Sequence, residues 1–259
     1  MKRRQLLKYA SATFVGTVGL GLATSVRSKG PQAHAQSGSL TITSLGHMAF
    51  LFSGGGQRVL VNPFKAVGCA EGYAEPTTAA DLVLVSSHLL DEGYTNNYSS
   101  AQVIDEPGDF TTPSGLSIQG VSMPHDRRNG RRFGMNIAWV WTQSGVKVVH
   151  LGGAAAPVAI EDKILIGRPD VLLVPVGGGP KGYTPEEAVE AVQTLNPKIV
   201  IPMHFRTQAA SDSCDLGGVD DFISLMTDVA VTQGDNTLTV DASSFPSSGM
   251  RIEVLSYAF

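Results

Sequence analysis

Short apolar and β-branched runs recur along this chain at strand length, with turn residues between them, at 40–44, 58–61, 82–86, 116–121, 136–142, 146–151, 171–175 and 198–201. Segments of this kind, separated by Gly, Pro, Ser and Asn, form strands, and so many of them require sheets with buried faces. The runs at 136–142 and 146–151 form a hairpin turning at Gln143-Ser144-Gly145. One helix is clearly signalled. Thr184 is its N-cap, Pro185 its first position and Glu187 the partner in a capping box, with Ala188, Val189, Ala191, Val192 and Leu195 on the buried side. A weaker helical pattern covers 219–229.

Residues 1–35 read differently. They carry Lys2, Arg3, Arg4, Lys8, Arg27 and Lys29, no Asp or Glu, and a moderately apolar stretch at 9–26 rich in Gly, Ala and Thr. This is the composition of an export signal. Arg3-Arg4-Gln5-Leu6-Leu7-Lys8 matches a twin-arginine motif, and Ala33-His34-Ala35 supplies small residues for cleavage after Ala35. The alternative is a retained membrane anchor, for which a stretch so rich in Gly and Thr is only marginally apolar. The expectation is export by the twin-arginine translocase to the periplasm or an equivalent lumen, with no stable membrane span after cleavage.

The same segment holds six of the 19 Lys and Arg and none of the 23 Asp and Glu, so 13 basic residues face 23 acidic ones in the remainder, a charge near −10. Nucleic acid is not an expected partner of so acidic a protein. Residues 36–259 suffice for one domain with a large core, and no repeat, low-complexity tract or linker interrupts them beyond residue 38.

The remaining histidines lie at or beside strand ends. In order come Leu45-Gly46-His47-Met48-Ala49-Phe50, Val61-Asn62-Pro63-Phe64, Ser86-Ser87-His88-Leu89-Leu90-Asp91-Glu92, Met123-Pro124-His125-Asp126, His150-Leu151-Gly152-Gly153, Val174-Pro175-Val176-Gly177-Gly178 and Ile201-Pro202-Met203-His204. That succession resembles the active-site stations of the metallo-β-lactamase superfamily, in particular its ascorbate-phosphate-lactonase-like branch of small metal-dependent hydrolases. The likeness covers roughly residues 40–230. It implies an α/β fold, the four-layer αβ/βα sandwich, as a single domain over 36–259.

The resemblance also implies a ligand set, and here the chain departs from it. Active members end the strand at 81–86 in His-x-His-x-Asp-His, because two divalent ions need several imidazoles and carboxylates converging from one loop. Those positions fall on Ser87, Leu89, Asp91 and Glu92; His88 would fit only with a shift that breaks the later matches. His125 and His204 match two further ligand stations, whereas Gly153 stands where an aspartate normally bridges the metals. Asn62 replaces the usual Asp. His47 and His150 are motif positions that pack near the site.

The survivors leave two expectations. In the first, the degenerate centre is noncatalytic and the protein binds a small, perhaps anionic, molecule. In the alternative, Asp91, Glu92 and His204 hold one divalent ion, zinc, manganese or magnesium, and His125 positions substrate or the attacking water in a hydrolase of an ester, lactone or phosphoester. Arg127 and Arg128, with Arg131 and Arg132, form a local positive cluster that could receive an anion, or else an ordinary solvated loop. The run from Val176 to Gly182 lacks the spacing of a phosphate-binding loop and reads as a strand-to-helix connection at the rim. Ser86, Ser87, His88 and Asp91 do not make a serine-hydrolase relay, since no Gly-x-Ser-x-Gly elbow exists. The resemblance also places the loops bearing Cys69 and Cys214 at the same rim, so a disulfide between them is expected after export, with two free thiols as the alternative.

Overall fold

The computed structural model describes residues 38–257. The export signal expected at 1–35 lies outside the described residues. Two sheets face one another. The first runs in the order β13 (Thr237–Val240), β1 (Leu40–Ser44), β2 (Phe50–Gly54), β3 (Gln57–Val61), β4 (Leu82–Leu84), β5 (Gln102–Ile104). The second runs β12 (Ala230–Gly234), β14 (Arg251–Leu255), β11 (Ile199–Met203), β10 (Val171–Pro175), β9 (Val146–His150), β8 (Met135–Gln143), β7 (Ser117–Pro124), β6 (Gly108–Thr111).

Alternation along the strands builds the core between them. Leu40 and Ile42, Phe50 and Phe52, Val59 and Val61 point inward from the first sheet, and Trp139, Trp141, Val148, Val171, Leu173, Ile199 and Ile201 meet them from the second. Phe52 packs edge-on against Trp141, with ring centroids 4.8 Å apart. The β8–β9 hairpin turns at Ser144 and Gly145, whose φ angles of 52° and 81° are those of a two-residue turn that follows the twist of the strands.

Helices cover the outer face of the second sheet: α1 (Ile160–Ile166), α2 (Pro185–Leu195) and α3 (Val219–Leu225). Their inward residues Ile166, Ala188, Ala191, Val192, Leu195 and Phe222 pack on Val149, Leu172, Val174 and Val200. In α2 the expected capping box is present: Glu187 N–H donates to Thr184 Oγ1 and Thr184 N–H donates to Glu187 Oε2. The outer face of the first sheet, with Leu60, Val83 and Val85, is closed chiefly by loop residues such as Tyr98. The crossover from β3 to β4 contains only the short 3-10 turn Gly68–Ala70, so the fourth layer of the expected sandwich is mostly loop here. Among the described residues no helix is long and apolar enough to cross a membrane.

Strands β9, β10, β11 and β14 run parallel, as do β3, β4 and β5. Parallel α/β sheets gather functional groups outside the carboxyl ends of their strands. The loops leaving β3, β4, β9, β10 and β11 here carry Asn62, Ser87, Gly153, Lys181 and His204.

Candidate functional site

Backbone conformation marks the rim first. His47, Asn62 and His204 have φ of 53°, 51° and 52°, left-handed values that few non-glycine residues adopt and that cluster at functional positions. Each is held by hydrogen bonds to neighbouring main chain. His204 N–H donates to the His47 carbonyl at 3.2 Å, and Gly177 N–H donates to the His204 carbonyl at 3.0 Å. Asn62 Oδ1 accepts from Ser86 N–H at 2.8 Å, which ties the ends of β3 and β4 together.

After β4 the chain makes a helical turn in which Glu92 and Gly93 N–H both donate to the Leu89 carbonyl. The turn leaves His88 exposed and Leu90 53% exposed, while Glu92 is fully buried and Asp91 half-buried. Ser87 Oγ donates to Glu92 Oε2 at 2.9 Å, and His125 Nε2 lies 3.1 Å from the same oxygen. The second Glu92 oxygen, Oε1, lies 3.0 Å from Lys181 Nζ, and Lys181 also donates to Asp91 Oδ2. Burial pushes the Glu92 carboxyl up, but His125, Lys181 and His204 outweigh it and hold the group well below the usual carboxylate range. Burial works against the Lys181 ammonium too, and the two carboxylates overcome it and raise its pKa.

Burial disfavours the charged form of three other imidazoles, His47, His150 and His204. Burial lowers His150 to about 3; its Nε2 donates to the Met48 carbonyl at 3.1 Å and its Nδ1 accepts from Gly152 N–H, a structural role. His47 and His204 meet edge-on with centroids 4.8 Å apart. Burial brings His47 to about 4, against the pull of Asp91 and Glu92, and burial with the neighbouring His47 takes His204 well below its ordinary value. Both His47 ring nitrogens and His204 Nδ1 are buried without a hydrogen-bond partner among the described residues.

The structure thus brings together Asp91, Glu92, His125 and His204, the residues carried over from the resemblance. It adds Lys181, which sequence reasoning left inside a glycine-rich connection. Arg127 is used elsewhere: its guanidinium takes Glu187 in a bidentate pair at 2.8 and 2.6 Å and donates to the Gly179 and Gly182 carbonyls. It therefore fastens the loop carrying Lys181 to the start of α2 and is not free for an anion. Arg128, Arg131 and Arg132 are exposed. Asp126 organises their loop by accepting N–H bonds from Arg128, Gly130, Arg132 and Phe133. Cys69 and Cys214 are joined by a disulfide across the rim.

A two-sheet sandwich with these stations at its strand ends defines a metallo-β-lactamase-type protein, and the chain belongs to that superfamily. Residues 41–204 match the beta-lactamase superfamily domain. Among curated relatives, a UPF0173 metal-dependent hydrolase of Pelotomaculum thermopropionicum is 29% identical over 65% of this chain and 85% of its own length. One from Aeropyrum pernix is likewise 29% identical, over 64% and 82%. A Thermotoga maritima structure described as a zinc-dependent hydrolase of the superfamily superposes with a TM-score of 0.66 and 31% identity, covering 85% of this chain and all of that one.

The relatives are named for a metal, and the residues present in this chain do not fit a dinuclear centre. Leu89 offers no donor atom, and Ser87 is occupied by Glu92. At Gly153 a Cβ would stand 2.1 Å from His125 Nε2 and 3.1 Å from Glu92 Oε2, so the imidazole fills the space a bridging aspartate would need. Asp91 and Glu92 are both already paired with the Lys181 ammonium. Among the described residues, no group of three or more His, Cys, Asp or Glu is placed to hold an ion.

Proposed function

We propose that this chain is an exported superfamily member whose centre has lost metal-activated hydrolysis and serves to bind a small polar molecule. The reading is carried by the Gly153 and His125 packing: with no side chain at 153, His125 sits against Glu92, and a bridged metal pair has no room. Binding capacity is supported by the buried nitrogens of His47 and His204, which in their neutral state each offer one donor and one acceptor. An anionic ligand would take the donors, with the exposed Arg128, Arg131 and Arg132 nearby in sequence to the His125 loop; Lys181 and Arg127 are already paired.

A second reading, a mononuclear hydrolase using Asp91, Glu92 and His204, is favoured by the names of the relatives. Metal analysis of the mature protein purified without chelator separates the two. The binding reading expects metal far below one equivalent and no hydrolysis of ester, lactone or phosphodiester substrates when zinc or manganese is supplied. About one bound ion, lost in Asp91→Ala and His204→Ala and accompanied by turnover, would replace it with the hydrolase.

A further inference from the structure

The centre contains two carboxylates that a protein interior does not tolerate unpaired. Relatives are named for a metal; this chain places a lysine between the two carboxylates. We infer that Lys181 is a tethered cation that stands in the place of the metal, bridging Asp91 and Glu92, offsetting one of their two negative charges and excluding divalent ions from them. The inference rests on the metal-free reading proposed above and adds the group responsible for it.

The contacts are specific. The Lys181 ammonium bridges Asp91 Oδ2 and Glu92 Oε1, one oxygen from each carboxylate, while the other Glu92 oxygen is taken by Ser87 and His125. Lys181 side-chain exposure is 19%, Asp91 16% and Glu92 0%, so the pair is shielded and not a solvated surface contact. The loop is built to deliver the amine. Gly178 and Gly179 have φ of 76° and 70°, conformations that favour glycine, and a Cβ at Gly182 would come within 2.8 Å of His204 Nδ1. Arg127 holds the carbonyls of Gly179 and Gly182, on either side of Lys181, and pairs with Glu187 at the start of α2. A cation reaching Asp91 and Glu92 would have to displace an ammonium held at a locally very high concentration by its own chain.

The test uses the mature protein, calorimetric titration with manganese or zinc chloride, and thermal melts of the wild type and of Lys181→Ala, Lys181→Arg, Lys181→Met and Lys181→Met/Asp91→Asn. The wild type and Lys181→Arg are expected to take up no ion. Lys181→Ala is expected to melt about 5–15 °C lower, to bind about one ion at least a hundredfold more tightly than the wild type, and to recover its melting temperature when loaded. The double variant, which removes one charge of each sign, is expected to regain much of the stability without binding an ion. It also keeps the inference testable if Lys181→Ala does not fold, because a double variant as unstable as Lys181→Met alone overturns it. Lys181→Ala that neither loses stability nor gains an ion overturns the inference while the metal-free reading stands. Uptake of an ion by the wild type, unchanged in Lys181→Ala, overturns that reading as well.

Discussion

Replacing Cys69 and Cys214 together by serine is expected to lower the stability of the oxidised protein by up to about 5 kcal/mol. The bridge closes a loop of sequence separation 145. In the chain-entropy model such a cross-link removes about 17 cal/mol/K from the unfolded chain, or about 5 kcal/mol at 25 °C. The native loops do not depend on the bridge alone, because Gly72 N–H donates to the Ala209 carbonyl, Ser211 Oγ donates to the Gly68 carbonyl and the Tyr73 and Thr207 hydroxyls pair at 2.5 Å. Folding without the disulfide is therefore expected, and the loss falls on the unfolded-state side of the equilibrium. Urea unfolding followed by fluorescence of the buried Trp139 and Trp141 measures it. The slope against urea should also rise, since an uncrosslinked chain exposes more surface when it unfolds. A loss below about 1 kcal/mol with an unchanged slope would refute the entropic account of this bridge.

Three further substitutions address the centre and its supports. Gly153→Asp, which restores the usual superfamily residue, should cost at least about 2 kcal/mol in urea unfolding by driving a side chain into His125, and should not create a metal site. Burial raises the Asp126 carboxyl, but four backbone N–H donors outweigh it and hold the group at about 2, below its ordinary 3.8. Its contribution is therefore complete above about pH 4–5 and lost as pH falls through 2, so Asp126→Asn should be less stable at pH 7 and show a flatter acid-unfolding curve between pH 5 and 2. Arg127→Ala should leave the fold intact and speed hydrogen exchange in the loop from Gly178 to Tyr183; exchange unchanged from wild type would mean the guanidinium does not secure it.

What could be read from the sequence was what depends on neighbours in the chain. The β8–β9 hairpin, the strands at 58–61 and 171–175, and the capping box of α2 all rest on local period and turn chemistry, and the structure places them within a residue or two of expectation. Helix α3 is shorter than its apolar pattern, ending at Leu225 where 219–229 was expected. Helix α1 gave no signal because its pattern is inverted: Ile160, Ile164 and Leu165 are exposed and only Ile166 is buried. Strand β12 is exposed at every position and is held by ladder bonds to β14, which side-chain alternation does not reveal.

The candidate site divides in the same way. Asp91, Glu92, His125 and His204 could be named because the resemblance fixes their stations. Lys181 could not, since its partners Asp91 and Glu92 lie about ninety positions earlier and meet it only once β4 and β10 are stacked in different sheets. The available clue was a single lysine among glycines in a rim loop of an acidic protein. The substrate position given to Arg127 likewise changed because Glu187, read as a helix cap, also accepts the guanidinium.

Crystals of the mature protein grown with millimolar zinc, with diffraction recorded on both sides of the zinc absorption edge, test the central claim most directly. The account predicts continuous density for the Lys181 ammonium between Asp91 and Glu92 and no anomalous peak at that position. An anomalous peak coordinated by Asp91, Glu92 and His204, with Lys181 turned away, would contradict it.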